Sequence, residues 1–171
     1  MFYSKFKKHV EALLFASGDP IAISKIAQLI DIPEEHVDLL IGQLIDEMAD
    51  DNRGLTIVKV ADGYQLCTKP ELSEVIKKLA QVQDSKLSLA AMETLSIIAF
   101  KQPITKLEIE SIRGVKIDKV LAKLLERQMI KEVGRKETIG RPILYGTTDE
   151  FLKSFGLNDL KDLPELAELL P

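Results

Sequence analysis

The 171 residues carry 23 basic and 27 acidic side chains, a formal net charge of −4, and 46% of them are hydrophobic. That balance excludes a uniformly basic coat for nucleic acid and describes a folded chain with room for one medium domain or two small ones. With no Trp and only 5% aromatic residues, the core must come from Leu, Ile, Val and Ala, which favours helices and leaves little for base stacking.

Apolar runs such as Leu95-Ser96-Ile97-Ile98-Ala99-Phe100 fall far short of the roughly 20 residues of a membrane span. The basic start, Lys5 to Lys8, is followed by no apolar segment or cleavage site of a secretory signal. The single cysteine, Cys67, can form no internal disulfide. These features point to a reducing cytoplasm and no membrane partner. The charge is unevenly spread: −5 over residues 1–68, +1 over 69–86, +4 over 87–147 and −4 over 148–171.

Phe6, Val10, Leu13, Leu14 and Ser17 recur at helical spacing until Gly18-Asp19-Pro20 stops the pattern. A second helix is predicted from about Ala22 to Ile30. Pro33 then suits the opening of a third, whose stripe is Val37, Leu40, Ile41, Leu44, Ile45 and Met48. Leu55 to Val60 and Tyr64 to Thr68 read as strands around an Asp62-Gly63 turn. Between Lys69 and Lys86, Leu72, Val75, Ile76 and Leu79 mark one face of a linking helix.

The scheme then repeats. Leu89, Met92, Leu95, Ile98 and Ala99 predict a helix ended by Lys101-Gln102-Pro103, and Thr105 with Glu108 is a capping box opening the next. Gly114 closes it, and Ile117, Val120, Leu121, Leu124 and Leu125 face inward from a third. Ile130 to Val133 and Ile143 to Thr147 flank a longer loop. A shift of 83 residues places Pro20-Ile21 on Pro103-Ile104, Ile26 on Ile109, Phe15 on Ile98 and Asp31 on Gly114, an internal duplication. Three helices followed by a hairpin, twice, is a mainly α chain with small β-hairpins: tandem winged-helix domains. The expected boundaries are 1–68, a helical linker 69–86, a second domain 87–147 and an acidic tail with a short helix, 148–171.

Charge bears on whether either unit meets DNA. From Pro33 to Asn52 there are seven acidic residues and no Lys or Arg, so the first unit's third helix repels phosphate. A protein-contact role remains for that unit, and Phe2, Tyr3 and Phe6 at its start suit a dimer interface. In the second unit Lys116, Lys119, Lys123 and Arg127 outnumber Asp118 and Glu126, and the wing adds Arg135, Lys136 and Arg141 against Glu137. This pattern fits a weak phosphate-binding surface, a solvated face, or a socket for an acidic partner segment. A search for phosphate loops, nucleophile elbows and paired metal ligands finds none. His9, His36 and Cys67 read as surface or packing residues, so no catalytic, metal or cofactor site is expected.

The stretch Leu89-Ala90-Ala91-Met92-Glu93-Thr94-Leu95-Ser96-Ile97-Ile98-Ala99-Phe100-Lys101-Gln102-Pro103-Ile104-Thr105, with Ile112-Arg113-Gly114-Val115, Gly134-Arg135-Lys136, Gly140-Arg141-Pro142 and Leu144-Tyr145-Gly146-Thr147-Thr148, closely resembles the segregation and condensation protein B family. Val10-Glu11-Ala12-Leu13-Leu14-Phe15 and Gly63-Tyr64-Gln65-Leu66 extend the resemblance into the first unit; Ile139 departs from a proline expected in many relatives. The resemblance implies a non-enzymatic, nucleoid-associated subunit of the bacterial SMC condensin-like complex. It would be a homodimer that binds the kleisin, segregation and condensation protein A (ScpA), and meets SMC through that kleisin and DNA indirectly or weakly. Such a subunit takes part in chromosome condensation, partition and cell division. On that reading Phe2, Phe6 and Val10 are the candidate dimer surface. Lys116, Lys119, Lys123, Arg127, Arg135, Lys136, Arg141 and Tyr145 are the candidate partner surface. The competing expectation is a winged-helix transcription regulator reading DNA.

Overall fold

The computed structural model describes residues 3–80 and 87–164. They form two compact units, one of residues 3–80 with 157–164 and one of residues 87–156.

In the first unit a 3₁₀ turn, Tyr3–Phe6, leads into α1 (Lys7–Ser17), α2 (Ile23–Ile30) and α3 (Glu34–Met48). Val10 and Leu14 from α1, Ile26 and Ala27 from α2, and Val37, Leu40, Ile41, Leu44 and Met48 from α3 form one buried cluster, as the helical period requires. Gly18 and Asp31 end α1 and α2 in the left-handed conformation, which glycine adopts freely and aspartate tolerates.

The hairpin consists of β1 (Leu55–Val60) and β2 (Gly63–Thr68), with Val60 opposite Gly63. Its turn residues are therefore Ala61 and Asp62, at φ 48° and 57°, rather than the expected Asp62-Gly63. Two positive φ values are what a type I′ turn needs. Gly63 lies inside the strand for another reason: a Cβ there would stand 3.0 Å from the backbone N and C of Ile21. Ile21 exchanges two backbone hydrogen bonds of 3.0 Å with Tyr64, closing the hairpin onto the segment between α1 and α2.

A 3₁₀ turn, Pro70–Leu72, continues into α4 (Ser73–Ala80). Its beginning is held to the first unit. The Lys69 backbone N–H donates to Gly54 O at 3.0 Å and its ammonium to Asp50 O at 2.7 Å. Leu72 packs closely enough that a Cβ on Gly54 would meet its Cδ1 at 3.2 Å. Residues 81–86 of the expected linker lie outside the described residues.

The second unit runs α5 (Leu89–Lys101), β3 (Ile104–Thr105), α6 (Lys106–Arg113), α7 (Asp118–Glu126), β4 (Ile130–Arg135), β5 (Ile143–Thr147) and α8 (Asp149–Phe155). The inner face of α5 is Ala91, Thr94, Leu95, Ile98 and Ala99. Leu89, expected on that face, is exposed, and Met92 is half-buried. So many α5 residues are apolar that the period is poorly defined. Thr94 takes a wholly buried place by donating its hydroxyl to Ala90 O at 2.8 Å.

The sheet order is β3-β5-β4, and β3 is a strand the sequence pattern does not predict. Ile104 pairs with Tyr145 much as Ile21 pairs with Tyr64. Each unit thus closes its hairpin on the residue after a Pro, at Pro20-Ile21 and Pro103-Ile104. The 83-residue shift holds for α2 and α6 and for their left-handed ends, Asp31 and Gly114. For α1 and α5 the step is one residue longer: Leu14 matches Ile98 in burial, while Phe15 is 76% exposed. After α8, Leu157 O accepts the Ala61 N–H at 3.2 Å within the first unit. Residues 165–171 of the expected tail lie outside the described residues.

Candidate partner-binding surface

The wing of the second unit is tied down from both ends. At the start of α6, the Thr105 hydroxyl accepts the Glu108 N–H at 3.3 Å, and Glu108 Oε2 accepts the Thr105 N–H at 2.9 Å and its hydroxyl at 2.7 Å. This capping box leaves Oε1 for the Lys136 ammonium, which pairs with it from the wing. Lys136, then the Thr105 donors, hold the Glu108 carboxyl down to about 2.

Within the loop Lys136 N–H donates to Pro142 O, Thr138 N–H to Lys136 O and Arg141 N–H to Thr138 O, each at 2.9 Å. The Arg135 guanidinium donates to Arg141 O at 3.2 Å, and that of Arg141 approaches Glu137 at 3.5 Å. The loop therefore brings Arg135, Lys136 and Arg141 together and leaves Ile139 fully exposed at its tip. At the base, Gln102 Oε1 accepts the Thr147 N–H at 2.7 Å, joining the end of α5 to β5. A side chain at Gly146 would collide with this link, its Cβ 2.8 Å from Gln102 Oε1.

On α7, Leu121 and Leu124 turn inward and the basic residues outward. The nearly buried Glu110 carboxylate fastens the preceding turn, accepting the Ile117 N–H at 3.2 Å and Lys116 at 3.1 Å. Lys106 pairs with Asp118. Lys119 and Lys123 are exposed and make no ion pair among the described residues, whereas Arg127 is half-buried.

The eight expected partner residues thus divide. Lys119, Lys123, Arg135 and Arg141 face solvent; Arg127 is half-buried; Lys116 and Lys136 are engaged by Glu110 and Glu108. Tyr145 is 7% exposed and belongs to the sheet, because β5 is its central strand and Tyr145 is paired with Ile104 on one side and Glu132 on the other. Its expected place on the surface is corrected accordingly. Exposed apolar residues of this unit that the expected partner surface lacks include Leu107, Ile112 and Val115. For Leu107 and Ile112 the reason is that α6 buries Ile109 and Glu110, which leaves both of its other large apolar residues off the inner face.

The expected dimer residues fare differently. Val10 is 0% exposed and Phe6 half-buried against the first core; the shared helical face that singled them out is the inward one. Tyr3 also turns in, its ring 3.9 Å from that of His36 and 6.4 Å from Phe6. Phe2 lies outside the described residues. No described helix is long and apolar enough to cross a membrane.

Two three-helix units, each closed by an antiparallel hairpin, define a tandem winged-helix protein. Residues 8–166 match the family model of the segregation and condensation complex subunit ScpB. The chain is 50% identical over 164 residues to segregation and condensation protein B of Symbiobacterium thermophilum, covering 96% of this chain and 75% of that one. It is 46% identical over 170 residues to that of Desulforamulus reducens, covering 99% and 94%. Among solved structures, ScpB from Mycobacterium tuberculosis is similar at 29% identity, over 90% of this chain and 97% of that one, with a TM-score of 0.43. The chain belongs to the ScpB family of segregation and condensation complex subunits.

Proposed function

We propose that the chain is a non-catalytic, nucleoid-associated subunit that joins a second copy of itself through its first unit and grips a kleisin, ScpA, with its second. Through that kleisin it acts on the SMC ATPase in chromosome condensation and segregation. The observation that carries the reading is the family match over residues 8–166. The surface chemistry agrees. In the first unit α3 carries Glu34, Glu35, Asp38, Asp46 and Glu47 and no Lys or Arg, which is unfit for phosphate. The second carries a braced wing, exposed Lys119 and Lys123 with no ion pair among the described residues, and exposed apolar side chains, the mixture a protein interface uses. Rim lysines orient a partner while apolar burial supplies most of the affinity.

Co-expression of the full chain with its cognate kleisin tests the reading, and retention of a stoichiometric complex is the expected result. Lys119→Glu with Lys123→Glu should weaken retention by up to about tenfold. No retention of the full-length kleisin by the unmodified chain would overturn the reading. Steeply salt-dependent binding of a palindromic duplex by this chain alone would instead make the second unit a DNA reader.

A further inference from the structure

The helix α4 leaves an apolar stripe uncovered in this chain. Leu72, Val75, Ile76 and Leu79 follow the i, i+3, i+4, i+7 spacing of one helix face. Leu72 is partly covered by its contact with the first unit near Gly54. Further along the helix cover is lost: Ile76 is 36% exposed, Val75 63% and Leu79 82%. A short helix with an open apolar face is not stable by itself in water. This one is anchored at its first turn by Lys69 and Leu72, which holds the stripe out as a platform.

We propose that this stripe pairs with the same stripe of a second copy, the two α4 helices running antiparallel across a twofold axis between Val75 and Ile76. The proposal rests on the homodimer reading above and moves the dimer seam away from the inward-facing Phe6 and Val10. Charge selects the occupant and the direction. Glu74 and Lys77 lie on the back of the helix, paired to each other at 2.8 Å. Glu71 and Lys78 flank the stripe on one side, a heptad apart, and neither makes an ion pair among the described residues. In an antiparallel pair that flank meets itself, so Glu71 of each copy comes to Lys78 of the other, and Leu72 to Leu79. In a parallel pair the same flank would face Ile76 and gain no charge partner. Two-fold symmetry repeats every contact, as a self-complementary interface demands.

Sedimentation of the full chain over a concentration series tests this. Leu79→Glu should raise the dimer dissociation constant at least tenfold with the thermal midpoint of the monomer unchanged, since the side chain is exposed. Glu71→Lys and Lys78→Glu should each weaken the dimer several-fold, and the double reversal should restore it. Single cysteines in a Cys67→Ser background give the direction. Cysteine at Val75 or Ile76, beside the axis, should cross-link on oxidation. Cysteine at Leu79 should not, because the two copies would stand roughly 10 Å apart along the axis. Cross-linking at all three positions would overturn the antiparallel arrangement. A dimer untouched by Leu79→Glu would overturn the seam while leaving the homodimer reading intact; if that variant instead lost the kleisin, a partner helix would be the occupant. A wild-type chain monomeric at 100-micromolar order would remove the homodimer reading itself.

Discussion

Gly63 carries a constraint that no pairwise sequence pattern displays. Asp62-Gly63 is the familiar dipeptide of a tight turn, yet the turn is made by Ala61 and Asp62, and the glycine is needed one position later, where Ile21 approaches. Gly63→Ala would set a methyl group 3.0–3.1 Å from the backbone N, C and O of Ile21, which cannot swing away. We expect a loss of about 1–3 kcal/mol, read by urea denaturation of the full chain. Gly42→Ala is the contrast: nothing lies within 4 Å of a Cβ there, in the interior of α3, so alanine should stabilise by roughly 0.5–1 kcal/mol. Equal effects at the two sites would remove the steric explanation.

At the scale of elements, the wing and α6 share one carboxylate. Glu108 caps α6 through Thr105 and holds the wing through Lys136, and its carboxyl is drawn from an ordinary 4.5 to about 2. A carboxyl lowered in the folded state adds stability above its unfolded value and loses it as the pH falls through the folded one. The difference in stability between the native chain and Glu108→Gln should therefore be full above about pH 4.5 and shrink toward pH 2. The protection factors of the backbone N–H groups of Lys136 and Arg141 against hydrogen exchange should fall in step. A difference constant across that window would mean that the charge on Glu108 does not hold the wing. The capping box half of this device is legible as Thr-x-x-Glu, because a cap is local. Lys136 is not, since 28 residues separate it from Glu108 and only the β3-β5-β4 sheet brings the loop back.

At the scale of the molecule, the two units have separate cores. Leu14 in the first and Leu124 in the second are each almost wholly buried. Leu14→Ala and Leu124→Ala should each cost about 2–5 kcal/mol. Hydrogen exchange should show the loss of protection confined to the altered unit, since the cavity forms in that core alone. Spread of the effect through both units would mean that they unfold as one. The net charge of −4 likewise resolves into two different surfaces, an acidic α3 in one unit and a basic α7 with its wing in the other.

Sequence by itself determined what is local and periodic: the order of helices and hairpins, the strands Leu55–Val60 and Ile143–Thr147, the Thr105 cap and the left-handed ends at Asp31 and Gly114. These rest on spacing and backbone preference within a few residues. Tertiary structure decided which side of each pattern faces water. It placed Val10 and Tyr145 inside and left Phe15, Leu79 and Leu107 outside. It also created the short strand Ile104–Thr105, whose partner Tyr145 is 41 residues beyond Ile104. Periodicity names a face but not its direction, and a hydrogen bond across such a distance exists only once the chain has closed on itself.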